Sequence, residues 1–229
     1  GLGDVYKRQK EHFGGFLPVI VDVTPYLNYG EDNVIAVCAD NSDDPSYPPG
    51  KPQDALDFAY FGGIYRDCWM IVHNHVFITD PNYENETAGG GLFVSFDKVS
   101  EQSALLKLDA HIRNNSEKSF SGKIVYELYD HNDNRVLSKE TNLSVNNGKA
   151  KQSSCKATIE TPHLWSPDSP YLYKLHVYVK DRAENIIDGY YRRIGIRSVE
   201  FKGKDGFWLN GKPCLLYTSP SPRDVEESR

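Results

Sequence analysis

The chain has 229 residues, enough for one large domain or two ordinary domains that each bury a core. Its net charge of −6 and its pI near 5.6 provide no basic surface, which argues against a nucleic-acid partner. The longest apolar run, residues 17–23, is interrupted by Pro18 and Asp22, so the sequence predicts no membrane span. Fifteen tyrosines and a single methionine favour an all-β protein.

The four cysteines are widely spaced and form neither a Cys-x-x-Cys motif nor a cluster with histidine. This spacing is too sparse for a disulfide scaffold and has no zinc-site pattern. It predicts four free, buried thiols, with pairing of one or two cysteines as the alternative in an exported protein.

Both ends of the chain differ from the rest. The chain begins with Gly1 and shows no signal-peptide pattern, so we expect the natural N-terminus to lie further upstream. Residues 1–9 and 217–229 resemble translated sequencing-adapter sequence and are predicted to be non-native tails. Their composition also fits natural disordered tails.

Residues 10–80 are predicted to form short strands separated by long turns. Apolar runs at residues 17–23 and 34–40 indicate strands. The loop at residues 40–52 is rich in Asp, Asn, Ser and Pro. Its oxygen ligands could suit a hard cation, but their spacing matches no EF-hand, and such side chains commonly cap their own turns. No metal site is therefore predicted.

The segment at residues 57–67 combines aromatic residues, two glycines and an adjacent Arg-Asp pair. Gly62 and Gly63 permit a positive φ or a close backbone approach. Arg66 offers a planar fork of donors that Asp67 could help to orient. The pattern predicts a tight bend between strands with a buried or half-buried arginine.

Residues 81–198 show the alternation of half-buried antiparallel strands, for example at 106–112, 124–129 and 173–179. Frequent turn signals predict a β-sandwich of about seven strands. Residues 80–91 are predicted to be a linker, and Asn147-Gly148 indicates a hairpin. Trp165 is predicted to anchor the end of the sandwich, although its ring could instead stack on a sugar.

Five motifs in order resemble family 2 glycoside hydrolases, most closely their β-galactosidase branch. Tyr60–Asp67 is similar to the signature of the family's N-terminal jelly-roll domain, and residues 22–37 resemble an earlier passage of that domain. Residues 162–173 and 190–199 resemble motifs of the family's immunoglobulin-like domain. Residues 207–213 resemble the hairpin that enters its catalytic barrel.

The resemblance implies an all-β chain that ends at the first hairpin of a (β/α)₈ barrel. Residues 10–80 would be a partial jelly roll, 81–198 an immunoglobulin-like sandwich, and 199–216 the start of the barrel. Retaining glycosidases use two carboxyl groups about 5 Å apart. The family carries both glutamates on the barrel, so no catalytic residue is expected here. The glutamates of this chain are expected on turns or solvent faces, and the fragment alone is predicted to be inactive.

The resemblance also implies individual roles. Asp57 matches an aspartate that the family directs at substrate hydroxyls, although it could equally cap its own turn. Gly62, Gly63, Arg66, Asp67 and Trp165 are interpreted as structural. The parent enzyme would hydrolyse terminal β-galactosides, could use Na⁺ or Mg²⁺, and could be a homo-oligomer without a membrane or nucleic-acid partner.

Alternatives to this hypothesis are the same family acting on β-mannosides or β-glucuronides, and a stand-alone carbohydrate-binding or adhesion protein. The sequence leaves the compartment open, with a bacterial periplasm or cytoplasm as the expected choices.

Overall fold

A computed structural model describes residues 10–14, 17–48, 50–56, 62–64, 66–87 and 89–214. The chain divides into two compact units, Gly1–Val72 and His73–Arg229. The sequence placed the first domain boundary after residue 80, whereas the structure assigns residues 73–80 to the second unit. These residues belong there because residues 76–78 pair with a strand of the sandwich.

The described part of the first unit contains two short 3₁₀ helices, Thr24–Tyr26 and Gln53–Ala55, and no strand. The strands predicted at residues 17–23 and 34–40 are therefore wrong. An isolated strand leaves its backbone groups unpaired, so an apolar run becomes a strand only where a partner accepts its hydrogen bonds. None of the described residues provides that partner, and apolar side chains such as Val34, which is 93% exposed, stay in solvent.

The described residues of the second unit form eleven strands and one short α-helix. The helix α1 is Pro81–Glu84, and a 3₁₀ helix spans Gly203–Asp205. The strands are β1 Val76–Ile78, β2 Leu92–Asp97, β3 Ser103–Asn114, β4 Phe120–Tyr129, β5 Arg135–Val145, β6 Ala150–Glu160, β7 Tyr173–Asp181, β8 Ile186–Ile194, β9 Val199–Phe201, β10 Phe207–Leu209 and β11 Lys212–Pro213. In the described part of the chain, no helix is long enough to span a membrane.

Two four-stranded antiparallel sheets form a sandwich. In the first sheet, β3 pairs with β6 on one side, and with β2 and then β1 on the other. The second sheet has the order β5-β4-β7-β8. The predicted seven strands are thus eight, because β1 and β2 share one edge of β3 in succession. A separate sheet, β9-β10-β11, follows.

One hydrophobic core lies between the two sheets. The alternation predicted from sequence is confirmed, since every second residue of β3 and of the first part of β7 is buried. Leu106, Leu108 and Ile112 face Tyr126, Leu175 and other members of the second sheet.

Two connections differ from their predictions. The Asn147-Gly148 turn does not close a hairpin, because β5 pairs with β4 while β6 pairs with β3, so the turn carries the chain from one sheet to the other. The predicted linker at 80–91 contains α1, which Asp80 caps by accepting hydrogen bonds from the backbone of Asn82 and Tyr83. Gly90 and Gly91 of this segment pack directly against Pro81.

A buried tyrosine makes stability sensitive to alkaline pH. Burial raises the pKa of Tyr126 to about 12, and its hydroxyl donates a hydrogen bond to the Ser153 carbonyl oxygen (3.2 Å). Because the unfolded state titrates near pH ~10, it loses this proton first as the pH rises. The contribution of the Tyr126 hydroxyl to the free energy of unfolding is therefore complete below pH ~10. Above that pH it declines by up to about 1.4 kcal/mol per pH unit until the folded state also loses the proton.

We expect Tyr126→Phe to flatten this alkaline decline in the free energy of unfolding, measured by urea titration between pH ~9 and pH ~11.5. Tyr171→Phe, at a part-exposed ring of the same unit, is the control that should leave the decline unchanged. An unchanged slope in Tyr126→Phe would contradict the prediction.

Candidate functional site

The glycine turn of the first unit has a conformation that its sequence predicts. Gly63 has φ +84°, a value that favours glycine, and a β-carbon on Gly62 would come within 2.7 Å of the Asn41 side chain. Arg66 and Asp67 are both exposed, so the expected buried or half-buried arginine is wrong. Asp57, the predicted substrate contact, lies outside the described residues.

The acidic loop of the first unit is held by its own side chains. The Asp40 carboxylate accepts hydrogen bonds from the Ser42 backbone (2.9 Å) and hydroxyl (2.5 Å), and Asp44 accepts one from the Ser46 backbone (2.8 Å). These Ser42 hydrogen bonds lower the pKa of Asp40. The loop oxygens thus cap turns, as the sequence suggested.

All four cysteines are free, as predicted. Their predicted burial is wrong, because Cys38 and Cys68 are exposed while Cys155 and Cys214 are partly buried. Within the described ranges, no three His, Cys, Asp or Glu side chains come together in a way that could hold a metal ion.

Trp165 lies where the sandwich meets the three-stranded sheet. Its backbone N–H donates to the Ile196 carbonyl oxygen (2.8 Å), and the Arg197 guanidinium lies 4.9 Å from the centre of its ring. A β-carbon on Gly195 would lie 2.9 Å from the indole, so the close approach requires glycine. The cation on the ring and the glycine beneath it hold the indole in place.

Asn210 joins three parts of this junction, and the sequence analysis did not single it out. Its side-chain oxygen accepts a hydrogen bond from the Ser198 N–H (3.0 Å), and its amide nitrogen donates to the Trp165 carbonyl oxygen (2.9 Å). Its own N–H donates to the Ser198 carbonyl oxygen (3.0 Å). Asn210 also has φ +51°, which asparagine tolerates better than most residues. The Asn-Gly pair of the hairpin motif was the available signal.

We expect Asn210→Ala to loosen this junction. The substitution removes two side-chain hydrogen bonds. It also places alanine, which tolerates a positive φ less well than asparagine, at this position. Together these effects should lower the free energy of unfolding by about 2 kcal/mol. Hydrogen exchange should show faster exchange of the Ser198 amide, while the control Asn185→Ala, in a distant turn, should not change it. Unaltered protection of Ser198 in Asn210→Ala would contradict the role.

Two acidic residues that the sequence analysis did not single out as pairing sites also hold the second unit together. Asp188 of β8, whose side chain is 8% exposed, accepts a hydrogen bond from the Ile78 N–H (2.7 Å) and lies 3.2 Å from His73 Nδ1. Glu84 of α1 forms a two-pronged ion pair with Arg113 of β3. The hydrogen bonds from Arg113 hold the pKa of Glu84 below its ordinary value.

The expectation that the glutamates lie on turns or solvent faces is therefore wrong for Glu84, whose side chain is 5% exposed. Glu127 lies on the outer face of β4 as expected, where it accepts hydrogen bonds from the Tyr129 hydroxyl (2.8 Å) and from Arg135 (3.0 Å). Sequence alternation places a side chain on a face, but it does not reveal a partner on another element.

The sandwich has counterparts among known proteins. Residues 91–197 match the family model described as glycosyl hydrolases family 2. The chain is 30% identical over 224 residues to a beta-glucuronidase of Formosa agariphila, a match covering 94% of this chain and 22% of that protein. It is 32% identical over 208 residues to a beta-galactosidase of Thermoanaerobacter pseudethanolicus, covering 90% of this chain and 25% of that protein.

A solved structure of Bacteroides uniformis beta-glucuronidase 2 is similar with a TM-score of 0.71 and 28% identity, covering 85% of this chain and 22% of that one. The sandwich thus has the architecture found in glycoside hydrolases. Within that class, the matches are to family 2, the family that the sequence motifs resemble. It spans about a quarter of the length of these curated relatives.

Proposed function

We propose that the chain is the non-catalytic N-terminal part of a retaining glycoside hydrolase that hydrolyses terminal β-galactosides. The observation that carries this proposal is the family match over the sandwich, together with relatives named beta-galactosidase and beta-glucuronidase. The two carboxyl groups of a retaining mechanism would come from another part of the enzyme. The part described here would position that catalytic domain and shape the rim of its pocket.

The arrangement of domains is part of the proposal. The second unit would be an immunoglobulin-like sandwich, which its two antiparallel sheets and the order β5-β4-β7-β8 support. The first unit would be part of a jelly roll, as its motifs suggest. Strands β9 to β11 would be the entrance to a catalytic barrel, and Asn210 and Trp165 would fix their direction relative to the sandwich.

Asp57 is the proposed substrate contact in this chain, since a carboxylate can accept two sugar hydroxyl hydrogen bonds. This role rests on the sequence resemblance. A Na⁺ or Mg²⁺ ion has no matching cluster among the described side chains, so no step of the proposal involves one.

A β-glucuronide is the second candidate substrate, because two of the three relatives described above are named as beta-glucuronidases. A glucuronide carries a carboxylate that a galactoside lacks, so the two substrates call for different contacts in the pocket.

The test is to express the full reading frame that contains this chain, and to assay it with p-nitrophenyl β-galactoside and p-nitrophenyl β-glucuronide. We expect turnover of the galactoside and none by the 229-residue chain alone. Asp57→Ala should lower kcat/KM by about a hundredfold through lost substrate hydrogen bonds, with Asp54→Ala as the matched control. Turnover of the glucuronide alone would favour the second candidate. Sugar binding without turnover would favour a carbohydrate-binding protein.

A further inference from the structure

The outer face of the second sheet carries an aromatic cluster that the proposed hydrolase function does not use. In β7 the buried residues alternate with outward-facing ones, so His176 and Tyr178 lie on the side of the sheet away from the core. Tyr191 of β8 lies directly opposite His176, and Tyr129 of β4 lies diagonally across. We call Tyr129, His176, Tyr178 and Tyr191 the tyrosine face.

His176 is the centre of this face. Its ring is edge-on to Tyr129 with centroids 5.4 Å apart, tilted against Tyr191 at 5.0 Å, and roughly parallel to Tyr178 at 6.0 Å. Its Nδ1 is 3.2 Å from the Tyr178 hydroxyl. These contacts fix the rings before any ligand arrives, which lowers the entropy cost of binding.

Tyr191 is the accessible ring of the face, with 50% of its surface exposed. Next to it along β8, Gly189 has no side chain to cover the outer surface, and the Tyr178 ring lies beside the space that a β-carbon would fill. The face therefore contains a notch bordered by aromatic rings, and it presents flat ring surface to solvent.

An unneutralised cation borders the rings. Lys174 and Arg193 lie directly opposite each other on β7 and β8, a like-charge arrangement that is unfavourable unless an anion relieves it. Asp133 pairs with Lys174 (2.6 Å), and Arg135 pairs with Glu127 (3.0 Å).

Arg193 has no ion-pair or hydrogen-bond partner anywhere in the described part of the chain. Within the same ranges, the Tyr191 hydroxyl and His176 Nε2 also make no hydrogen bond. The face thus offers flat apolar rings, unused hydrogen-bonding groups and one free positive charge within two residues along β8.

We propose that the tyrosine face binds an acidic sugar, a uronate unit of a polysaccharide. The C–H face of a pyranose ring is apolar and weakly positive, so it packs against the electron-rich face of Tyr191. The carboxylate of the uronate pairs with Arg193, whose planar guanidinium matches it in a two-pronged contact. His176 Nε2 and the Tyr191 hydroxyl can form hydrogen bonds with the sugar hydroxyls, either as donors or as acceptors.

The overall charge provides no general attraction for polyanions. The chain carries a net charge of −6, so binding of an anionic polymer depends on a local cation such as Arg193. The proposed surface would hold a polysaccharide near the enzyme without taking part in hydrolysis. It does not depend on the proposed activity, because binding is measured without turnover.

The test is a calorimetric titration of the full 229-residue chain with tetragalacturonic acid, with the neutral tetrasaccharide cellotetraose, and with tripolyphosphate as an anion without a sugar. We expect the acidic tetrasaccharide to bind best. Tyr191→Ala should weaken its binding about tenfold, and Arg193→Gln should weaken it about fivefold while removing the preference over cellotetraose.

Two matched variants control for general effects. Tyr83→Ala removes a tyrosine that is 52% exposed on α1, and Arg182→Gln removes an exposed arginine in the turn after β7. Both should retain the affinity of the original chain within about twofold. If Tyr191→Ala does not fold, as judged by its circular dichroism, Arg193→Gln alone decides.

Several results would overturn the proposal. They are no binding of tetragalacturonic acid, equal binding in the tyrosine-face variants, or competition by tripolyphosphate as strong as that by the sugar, which would indicate an anion site only. A dimer that sedimentation detects in the original chain, but not in Tyr191→Ala, would identify the face as a protein interface.

Discussion

Replacing Asn114 by alanine is expected to lower the free energy of unfolding by about 3 kcal/mol. Asn114 ends β3 and is fully buried. Its amide nitrogen donates to the carbonyl oxygens of Lys118 (2.8 Å) and Val145 (3.0 Å), and its side-chain oxygen accepts from the Ser116 N–H (2.9 Å) and hydroxyl (2.6 Å). One side chain therefore satisfies all four hydrogen-bonding positions of an amide.

The cost is large because the partners remain after the side chain is removed. The Val145 carbonyl belongs to the end of β5, and the Ser116 and Lys118 groups belong to the crossover from β3 to β4. Each buried polar group that loses its partner costs about 1–3 kcal/mol. For a unit of this size, 3 kcal/mol corresponds to a loss of about 10 °C in Tm, measured by circular dichroism.

Asn115→Ala is the matched control, because the neighbouring asparagine is exposed and joins the structure through its backbone N–H to the His75 carbonyl oxygen. We expect it to change Tm by less than about 2 °C. Asn114→Asp keeps the acceptor but points a charge at two carbonyl oxygens, so it should destabilise as much as alanine does. Equal Tm values for the Asn114→Ala and Asn115→Ala proteins would refute this assignment.

The sequence predicted the sandwich well because both of its sheets have one face in the core and one in solvent. Because of that arrangement, apolar and polar residues alternate along β3 and β7. The buried residues follow this alternation, as Leu106, Leu108, Leu175 and Val177 show. The all-β class followed from the same regularities, and the resemblance to family 2 rested on the motifs.

The sequence did not predict features that depend on residues distant along the chain. Glu84 pairs with Arg113, and Asp188 pairs with the Ile78 backbone across 110 positions, with no periodic signal. In the first unit the apolar run at 34–40 carries the correct composition for a strand. Composition alone does not provide a partner strand, so the prediction failed there.

Turn chemistry gave a mixed result for a physical reason. The Asn147-Gly148 pair does form a turn, and Gly148 has φ +64°. Such a pair specifies the reversal of the chain but not which neighbours the two strands then choose. That choice depends on whether a strand gains more by pairing with its predecessor or by joining the opposite sheet, and β6 gains an eleven-residue ladder with β3.

Gly122→Ala should destabilise the protein by about 3 kcal/mol or more, although it adds a single methyl group. Gly122 lies in β4, between Leu143 of β5 and Asp181 of β7. A β-carbon there would come within 2.1 Å of the Lys180 carbonyl oxygen and 2.7 Å of the Phe120 ring. The first of these atoms is backbone in a paired strand, so relief requires β4 and β7 to separate and to lose hydrogen bonds.

Gly189→Ala tests whether the expected destabilisation by Gly122→Ala comes from the steric contact of the added methyl group or from the loss of glycine itself. Gly189 also lies inside a strand of the second sheet, but a β-carbon there would make an ordinary contact of 3.6 Å with the Tyr178 ring. Because alanine restricts the unfolded chain more than glycine does, this change should be neutral or stabilise the protein by about 0.5 kcal/mol. The free energies of unfolding of the two variants, measured with urea, should therefore change in opposite directions or by very different amounts. Similar losses in both would mean that flexibility of the strand, rather than the Lys180 carbonyl, is what Gly122 provides.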